Sequence, residues 1–268
     1  MERASDVHEP ISLDLLTGEE ALARRPQAVS PVPGAKQAAN GSPQGTLRYL
    51  AFGRVVPAVW FALFGGLHLS RLVADIRALG PHPSLPRILF GPVHSGLYLA
   101  FICIPIYIYT RRPRPRASDG SILARVFAFT GTFMLLIFPK FFNGGSSLTN
   151  PTSWVQIAAG ILLVASTALA IWGIACLQMN FSIIPEARRL VRSGPYRYVR
   201  HPLYAADIGA AISLVLKGQP GLESTVILLL FVAVQFGRTV CEERLLRANL
   251  PEYDDYARST RRLIPFIL

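Results

Sequence analysis

The stretch Gly194-Pro195-Tyr196-Arg197-Tyr198-Val199-Arg200-His201-Pro202-Leu203-Tyr204 lies between two apolar runs and decides how the rest of the chain is read. Gly194 and Pro195 stop a helix and set a turn. Pro202 suits the first turn of a following helix, where its missing N–H costs nothing. His201 therefore falls at or beside a helix N-terminus, whose free N–H groups and dipole favour a carboxylate or phosphate. Tyr196 and Tyr204 add hydroxyls and aromatic faces, and Arg197 and Arg200 add charge. A plain interfacial anchor also uses aromatic and basic residues. This cluster is denser than anchoring requires, and we read it as a ligand site.

Composition sets the surroundings of that stretch. The chain has 268 residues, 51% hydrophobic and only 16% charged, with a mean hydropathy of +0.37. Such a chain is too apolar for an ordinary soluble domain and predicts an all-α, polytopic membrane protein. The net charge of +11 comes from arginines in short loops between apolar runs, where the positive-inside rule places them. No basic stripe with interleaved aromatics appears, so a nucleic-acid partner is not expected. Cys103, Cys176 and Cys241 lack metal-like spacing and read as buried thiols. The histidines are scattered, so no metal site is expected, and no G-x-G-x-x-G motif supports a dinucleotide fold.

Residues 1–47 are rich in Pro, Ala, Ser and Gly and read as a disordered cytoplasmic tail, with no signal peptide. Four helices near the bilayer-spanning length follow within 48–179, at about 55–79, 87–110, 122–142 and 154–177. The basic loop 111–116 separates the second from the third and reads as topogenic; the polar loop 143–147 follows the third. Residues 186–192 suggest a short interfacial helix. Runs at 203–216 and 222–236, joined by a tight turn at 217–221, read as a helical hairpin. Loop charge fits about six crossings with both termini in the cytoplasm; five crossings, with the hairpin re-entrant, is the rival. His68 and His94 read as packing residues able to line an acceptor path. Arg71 and Asp75 suit an i, i+4 pair.

A second polar segment runs from Arg238 through Glu242 and Glu243 to Pro251-Glu252-Tyr253-Asp254-Asp255-Tyr256. Arg238, Glu242 and Leu246 share a helix face. Arg238 and Glu242 are expected at a hydrated boundary, as a snorkelling ion pair or a ligand-facing one. Glu243 points elsewhere and reads as structural or solvated. Tyr253, Tyr256, Arg261 and Arg262 lead to Leu263-Ile264-Pro265-Phe266, which reads as a cap over the site.

The string R-H-P-x-Y after G-P-Y-R-Y-V, then an apolar hairpin, then R-x-x-x-E-E, E-Y-x-x-Y and a terminal I-P, resembles the isoprenylcysteine carboxyl methyltransferase family over about 180–266. That resemblance implies an integral membrane enzyme using S-adenosylmethionine, with 180–268 as the catalytic region and its cofactor site on the cytoplasmic face. It implies that the Leu190-Val191 backbone, Tyr196, His201, Pro202, Leu203 and Tyr204 line the cofactor. Glu242 contacts the cofactor too, and Arg238 meets the methyl acceptor, the latter two being the catalytic pair. The acceptor is expected to be lipidic or lipid-linked, and a carboxylate suits Arg238, which can grip it bidentately.

Methyl transfer expels a neutral thioether, so no acid is required and positioning dominates. A carboxylate acceptor needs no base. An amine or hydroxyl acceptor needs one, and His201 or Glu242 are the candidates in the sequence. Rival readings are a phospholipid N-methyltransferase on the same scaffold, an NADPH-dependent membrane sterol-type reductase, and a non-catalytic membrane adaptor. The Arg-, Ala- and Pro-rich composition hints at a bacterial inner membrane; the oligomeric state is left open.

Overall fold

Helix starts and stops follow proline and glycine chemistry closely. In the computed structural model, residues 35–37, 50–113, 115, 117–119, 121–142, 154–218 and 221–263 are described, and all lie in one unit, Val32–Leu268. The first strand, β1, is Ala35–Gln37. Helix α1 spans Val56–Arg77, with Pro57 in its first turn, and is entered by a wide turn at Ala51–Val55. Helix α2, Leu85–Ile88, opens with Pro86 in its first turn. It runs into a kink at Leu89–Val93, where Pro92 follows Gly91 and Gly91 leaves helical geometry. Helix α3, His94–Arg111, continues beyond the kink.

Strand β2 is Ala117–Asp119, α4 is Ile122–Phe142 and α5 is Trp154–Leu177. Strand β3 is Glu186–Ala187. Helix α6 spans Pro202–Lys217 and begins on its proline. Helix α7, Leu222–Asn249, is opened by Ser224, whose hydroxyl accepts the Gly221 N–H at 2.8 Å. Pro251 ends it, because the residue before a proline is held out of helical geometry. Helix α8 is Tyr253–Ser259.

Four stretches are long and apolar enough to cross a membrane among the described residues: Gly53–Arg77, Leu85–Arg111, Trp154–Asn180 and Leu222–Asn249. The expected four N-terminal helices and the C-terminal hairpin are all present. The hairpin's second arm does not stop at 236, however. It runs unbroken through Arg238 and Glu242 to Asn249, so the second polar segment begins on the same rigid helix as the apolar run.

The chain is mostly helical but not wholly so. The three strands form one antiparallel sheet in the order β1-β2-β3. Lys36 pairs with Ser118, and Ser118 with Glu186. Ala35–Gln37 falls inside the 1–47 segment expected to be disordered; the edge of β2 gives its backbone groups partners. The rest of that segment, the 143–147 loop and 264–266 lie outside the described residues.

The expected helix at 186–192 is replaced by β3 and an extended link. Ala187 is fully buried against Leu245 of α7. The Glu186 carboxylate accepts from Arg188 Nε at 3.0 Å and pairs with Arg112 at 3.3 Å. These tertiary contacts outweigh a weak local helical preference.

Helices α5 and α6 pack closely. The buried Ser213 hydroxyl donates to the Ala159 carbonyl at 2.6 Å. A Cβ on Gly173 would sit 3.0 Å from Leu203, so the residue that follows Pro202 seats directly on α5.

Candidate functional site

Gly194 is the pivot of the first motif. Its φ of +61° is left-handed, which disfavours any residue with a Cβ. A Cβ there would also meet Cys176 Sγ at 2.4 Å. The turn it opens carries Pro195–Tyr198 back over the end of α5 and delivers His201 to the start of α6. The C-terminal segment runs alongside. Arg200 N–H donates to Arg261 O at 2.7 Å and His201 N–H to Arg262 O at 3.0 Å. Tyr256 OH donates to Tyr196 O at 2.7 Å. The tail read as a cap packs against the first motif and is buried at Leu263.

At the centre lies Glu243, with only 1% of its side chain exposed. Its carboxylate takes Arg200 Nε at 2.9 Å, His201 Nε2 at 3.2 Å and Arg262 Nη2 at 2.9 Å. Arg247 Nη2 lies 3.4 Å away. Glu243 is therefore structural as read from the sequence, but not solvated. The segments it joins are the first motif, α7 and the tail. Arg200 also donates to the Ala257 and Thr260 carbonyls at 2.5 and 2.7 Å. Arg200 thus joins this lock while also lining the cavity, whereas Arg197 is exposed and outside the lining.

Glu242 faces the other way. It accepts from Tyr204 OH at 2.8 Å, and His201 Nδ1 stands 3.6 Å from its Oε2. His201 is thus held between two carboxylates, its ring stacked on Tyr204 at 5.5 Å between centroids. Burial pulls its pKa down, but the hydrogen bonds and charges of Glu242 and Glu243 outweigh that and raise it above the ordinary 6.5.

Arg238 is buried, with 6% exposure, so the expected hydrated boundary does not hold for it. Its guanidinium lies over the Tyr204 ring at 4.6 Å and its Nη1 donates to Gln235 Oε1 at 3.0 Å. Gln235, fully buried, donates from Nε2 to Asp207 Oδ2 at 2.8 Å. The partners of Arg238 are thus Gln235 and Tyr204, not an ion pair with Glu242. Gly131 makes room: a Cβ there would meet Arg238 Cδ at 2.7 Å. Gln235 and Asp207 were not singled out in the sequence. Their i, i+3 spacing to Arg238 and Tyr204 respectively was the available signal.

One cavity of about 380 Å³ joins these groups. Tyr196, His201, Leu203, Tyr204, Asp207, Arg238 and Glu242 line one side. Trp60, Phe64, His68, His94, Tyr98 and Phe101 line the other. His68 and His94 are therefore both packed, against Tyr98 at 4.5 and 5.7 Å, and on the cavity. Leu190, Val191 and Pro202 are not part of the lining. Leu190 packs on the Leu250, Tyr253 and Tyr256 cluster, and Pro202 is buried beside Gly173.

Two further residues tie down the two ends of α3. Arg112, read as topogenic, is 3% exposed. It donates to Gly53 O at 2.6 Å and to Phe181 O at 3.2 Å and stacks on Tyr109. Asp75, expected to pair with Arg71, instead accepts from Ser95 at 2.6 Å. Among the described residues, no group of three or more His, Cys, Asp or Glu is placed to hold a metal ion.

Residues 157–248 match the family model of the isoprenylcysteine carboxyl methyltransferase (ICMT) family, as the motifs imply. The matched region contains α6, α7 and the whole cluster from His201 to Glu243. Two curated relatives are similar over part of the chain. The nickel-cobalt-cadmium resistance protein NccN of Alcaligenes xylosoxydans xylosoxydans is 32% identical over 80 residues, 30% of this chain and 38% of that protein. The cobalt-zinc-cadmium resistance protein CzcN of Cupriavidus metallidurans is 35% identical over 77 residues, 28% of this chain and 35% of that one. The similarity thus spans little more than a third of each relative.

Proposed function

We propose that this chain is an integral membrane methyltransferase that moves the methyl group of S-adenosylmethionine to a lipidic or lipid-linked acceptor. The observation that carries the reading is this cavity. It sets the charged cluster of the family-matched segment against an aromatic wall from α1 and α3.

The residues present fit the donor. Glu242, with a side chain 32% exposed, offers an anion for its amino group or sulfonium. Tyr196, His201, Leu203 and Tyr204 offer aromatic and apolar surface. When bound, the donor supplies an electrophilic methyl carbon. The chain's own part is to hold Tyr204 against Glu242, fix His201 by two carboxylates, and keep Arg238 stacked and dry. Leu190, Val191 and Pro202 then act by packing behind the lining residues.

Six crossings, with both termini in the cytoplasm of a bacterial inner membrane, fit the arrangement of basic segments. Arg112 ties the loop after α3 to Glu186. Val199 pairs with Arg261, and Arg54 bonds to the Thr110 carbonyl. The basic segments thus gather at one end of the helices, as the positive-inside rule asks.

The test is ligand binding to detergent-solubilised protein. S-adenosylmethionine or its demethylated product should raise the melting temperature by mass action, and NADPH should not. The double change His201→Ala with Tyr204→Phe should weaken the shift at least tenfold in affinity. Unchanged affinity in that variant would remove the site assignment, and a response to NADPH alone would transfer the reading to the reductase class.

A further inference from the structure

Asp207 is a carboxylate on the cavity wall whose role the reading above leaves empty. It sits one turn along α6 from Tyr204 and lines the same cavity as Arg238 and Glu242. Its Oδ2 accepts from Gln235 Nε2 at 2.8 Å, and Gln235 Oε1 accepts from Arg238 Nη1 at 3.0 Å. The amide is thereby fixed in one orientation, and Arg238 and Asp207 become two ends of one hydrogen-bonded unit.

This arrangement bears on the acceptor. Arg238 is already offset by Asp207 through Gln235, and Glu242 lies one turn further along α7. A carboxylate brought to Arg238 would meet the like charge of Asp207 across the buried Gln235, and like charges repel strongly away from bulk water. An uncharged acceptor bearing an N–H or O–H meets no such repulsion and can donate to Asp207. It also needs its proton removed. His201 is committed between Glu242 and Glu243, and Glu242 is bonded to Tyr204, so neither base expected from the sequence is well placed to take it.

We infer that the methyl acceptor is an amine or hydroxyl group of a lipidic molecule, and that Asp207 is the base that accepts its proton. The inference rests on the methyltransferase reading and names its substrate class. In the step, the acceptor's lone pair forms a bond to the methyl carbon. The bond from that carbon to the donor sulfur breaks, and its electron pair stays on sulfur as a neutral thioether. The acceptor's proton passes to the Asp207 carboxylate. Arg238 orients Gln235, which occupies one oxygen of Asp207 and leaves the other for the acceptor.

The experiment uses the full chain in vesicles of bacterial inner-membrane lipid with methyl-labelled S-adenosylmethionine. The labelled lipid is then treated with mild base, which hydrolyses methyl esters to volatile methanol but leaves methyl amines and ethers intact. The expected result is a base-stable label. Asp207→Asn should cut transfer about a hundredfold or more, the scale of general-base catalysis, with donor affinity kept within a fewfold. Asp207→Glu, which keeps the carboxylate, should retain part of the rate. The wild-type label needs no variant, so a folding failure in Asp207→Asn leaves that arm intact.

Release of the label as methanol overturns the inference while the methyltransferase reading stands. A base-stable label with an unimpaired Asp207→Asn overturns the base assignment. Wild-type protein that neither binds the donor nor transfers label overturns the parent reading itself. Head-group analysis of the stable label separates an amine from a hydroxyl acceptor.

Discussion

On the wall formed by α1 and α3, polar groups are held by rings and backbone. His68 bonds the Phe64 carbonyl at 3.1 Å and leans on Tyr98, and Tyr98 in turn touches Phe101. On the wall formed by α6 and α7, charges hold charges: two carboxylates grip His201, and one of them also takes Arg200 and Arg262. Removing a ring from the first wall leaves apolar space that neighbours can partly refill. Removing an ion from the second leaves its partners buried and uncompensated, which is far costlier than the net worth of the pair. The aromatic wall is therefore suited to accept varied apolar bodies, and the charged wall to hold one geometry.

The largest effect expected from that contrast is at Glu243. Glu243→Ala should cost about 3–5 kcal/mol, the usual penalty for stranding buried charges, and lower the melting temperature sharply in detergent. If thermal scans show Glu243→Ala as stable as the parent, the lock is not structural and the contrast between the walls fails.

Arg238 is the sharper probe of chemistry. Arg238→Ala should lose transfer by about a hundredfold or more, since it stacks on Tyr204 and orients Gln235, while donor binding is largely kept. Arg238→Lys should recover only part, because lysine keeps the charge but not the planar fork. Glu242→Ala should lose donor binding and transfer together. Equilibrium binding beside turnover distinguishes these outcomes. Loss of donor binding in Arg238→Ala with normal turnover per bound donor would reverse the two roles.

A smaller effect comes from pH. The folded state raises the pKa of His201 above 6.5, so its protonated form stabilises the fold. That contribution is complete below the ordinary value and is lost as pH rises through the raised one. Melting temperature should therefore decline as pH rises above 6.5, and His201→Gln should flatten that decline. A His201→Gln protein with the parent's slope would show that other groups carry it.

The smallest expected change is on the aromatic wall. Tyr98→Phe removes a hydroxyl and keeps the ring, so stability should move by less than about 1 kcal/mol and donor affinity should not change. His68→Gln or His94→Gln should alter the KM for the acceptor before they alter kcat. Acceptor kinetics in vesicles would show this. An equal loss of donor binding in these variants would mean that the two walls do not divide the substrates.

The helices were legible in the sequence because each apolar run is bounded by proline, glycine or clustered arginine, and those signals act within a turn or two. Pro57, Pro202 and Pro251 set ends where the structure has them. His201 at a helix start followed from the proline after it as well, while Tyr204 and Glu242 were brought together only by the family resemblance. Distant pairing did not follow. Glu243 read as either structural or solvated, because successive residues on a helix face different sides. Which side was dry depended on Arg200 and Arg262 arriving from elsewhere in the chain. That Arg112, in the loop read as topogenic, is also a packing residue depended on Gly53, Phe181 and Glu186 closing around it.

What the sequence determined by itself was local: where helices begin and end, which runs suit a bilayer, and which two segments are densest in polar side chains. Tertiary structure decided which buried charge meets which. It placed Asp207 beside Gln235, buried Arg238 over Tyr204 and turned 186–192 into a strand and link. The physical reason is range. Capping and hydrophobic periodicity act between neighbours in the chain, whereas desolvation and ion pairing depend on whatever the fold brings within a few ångströms.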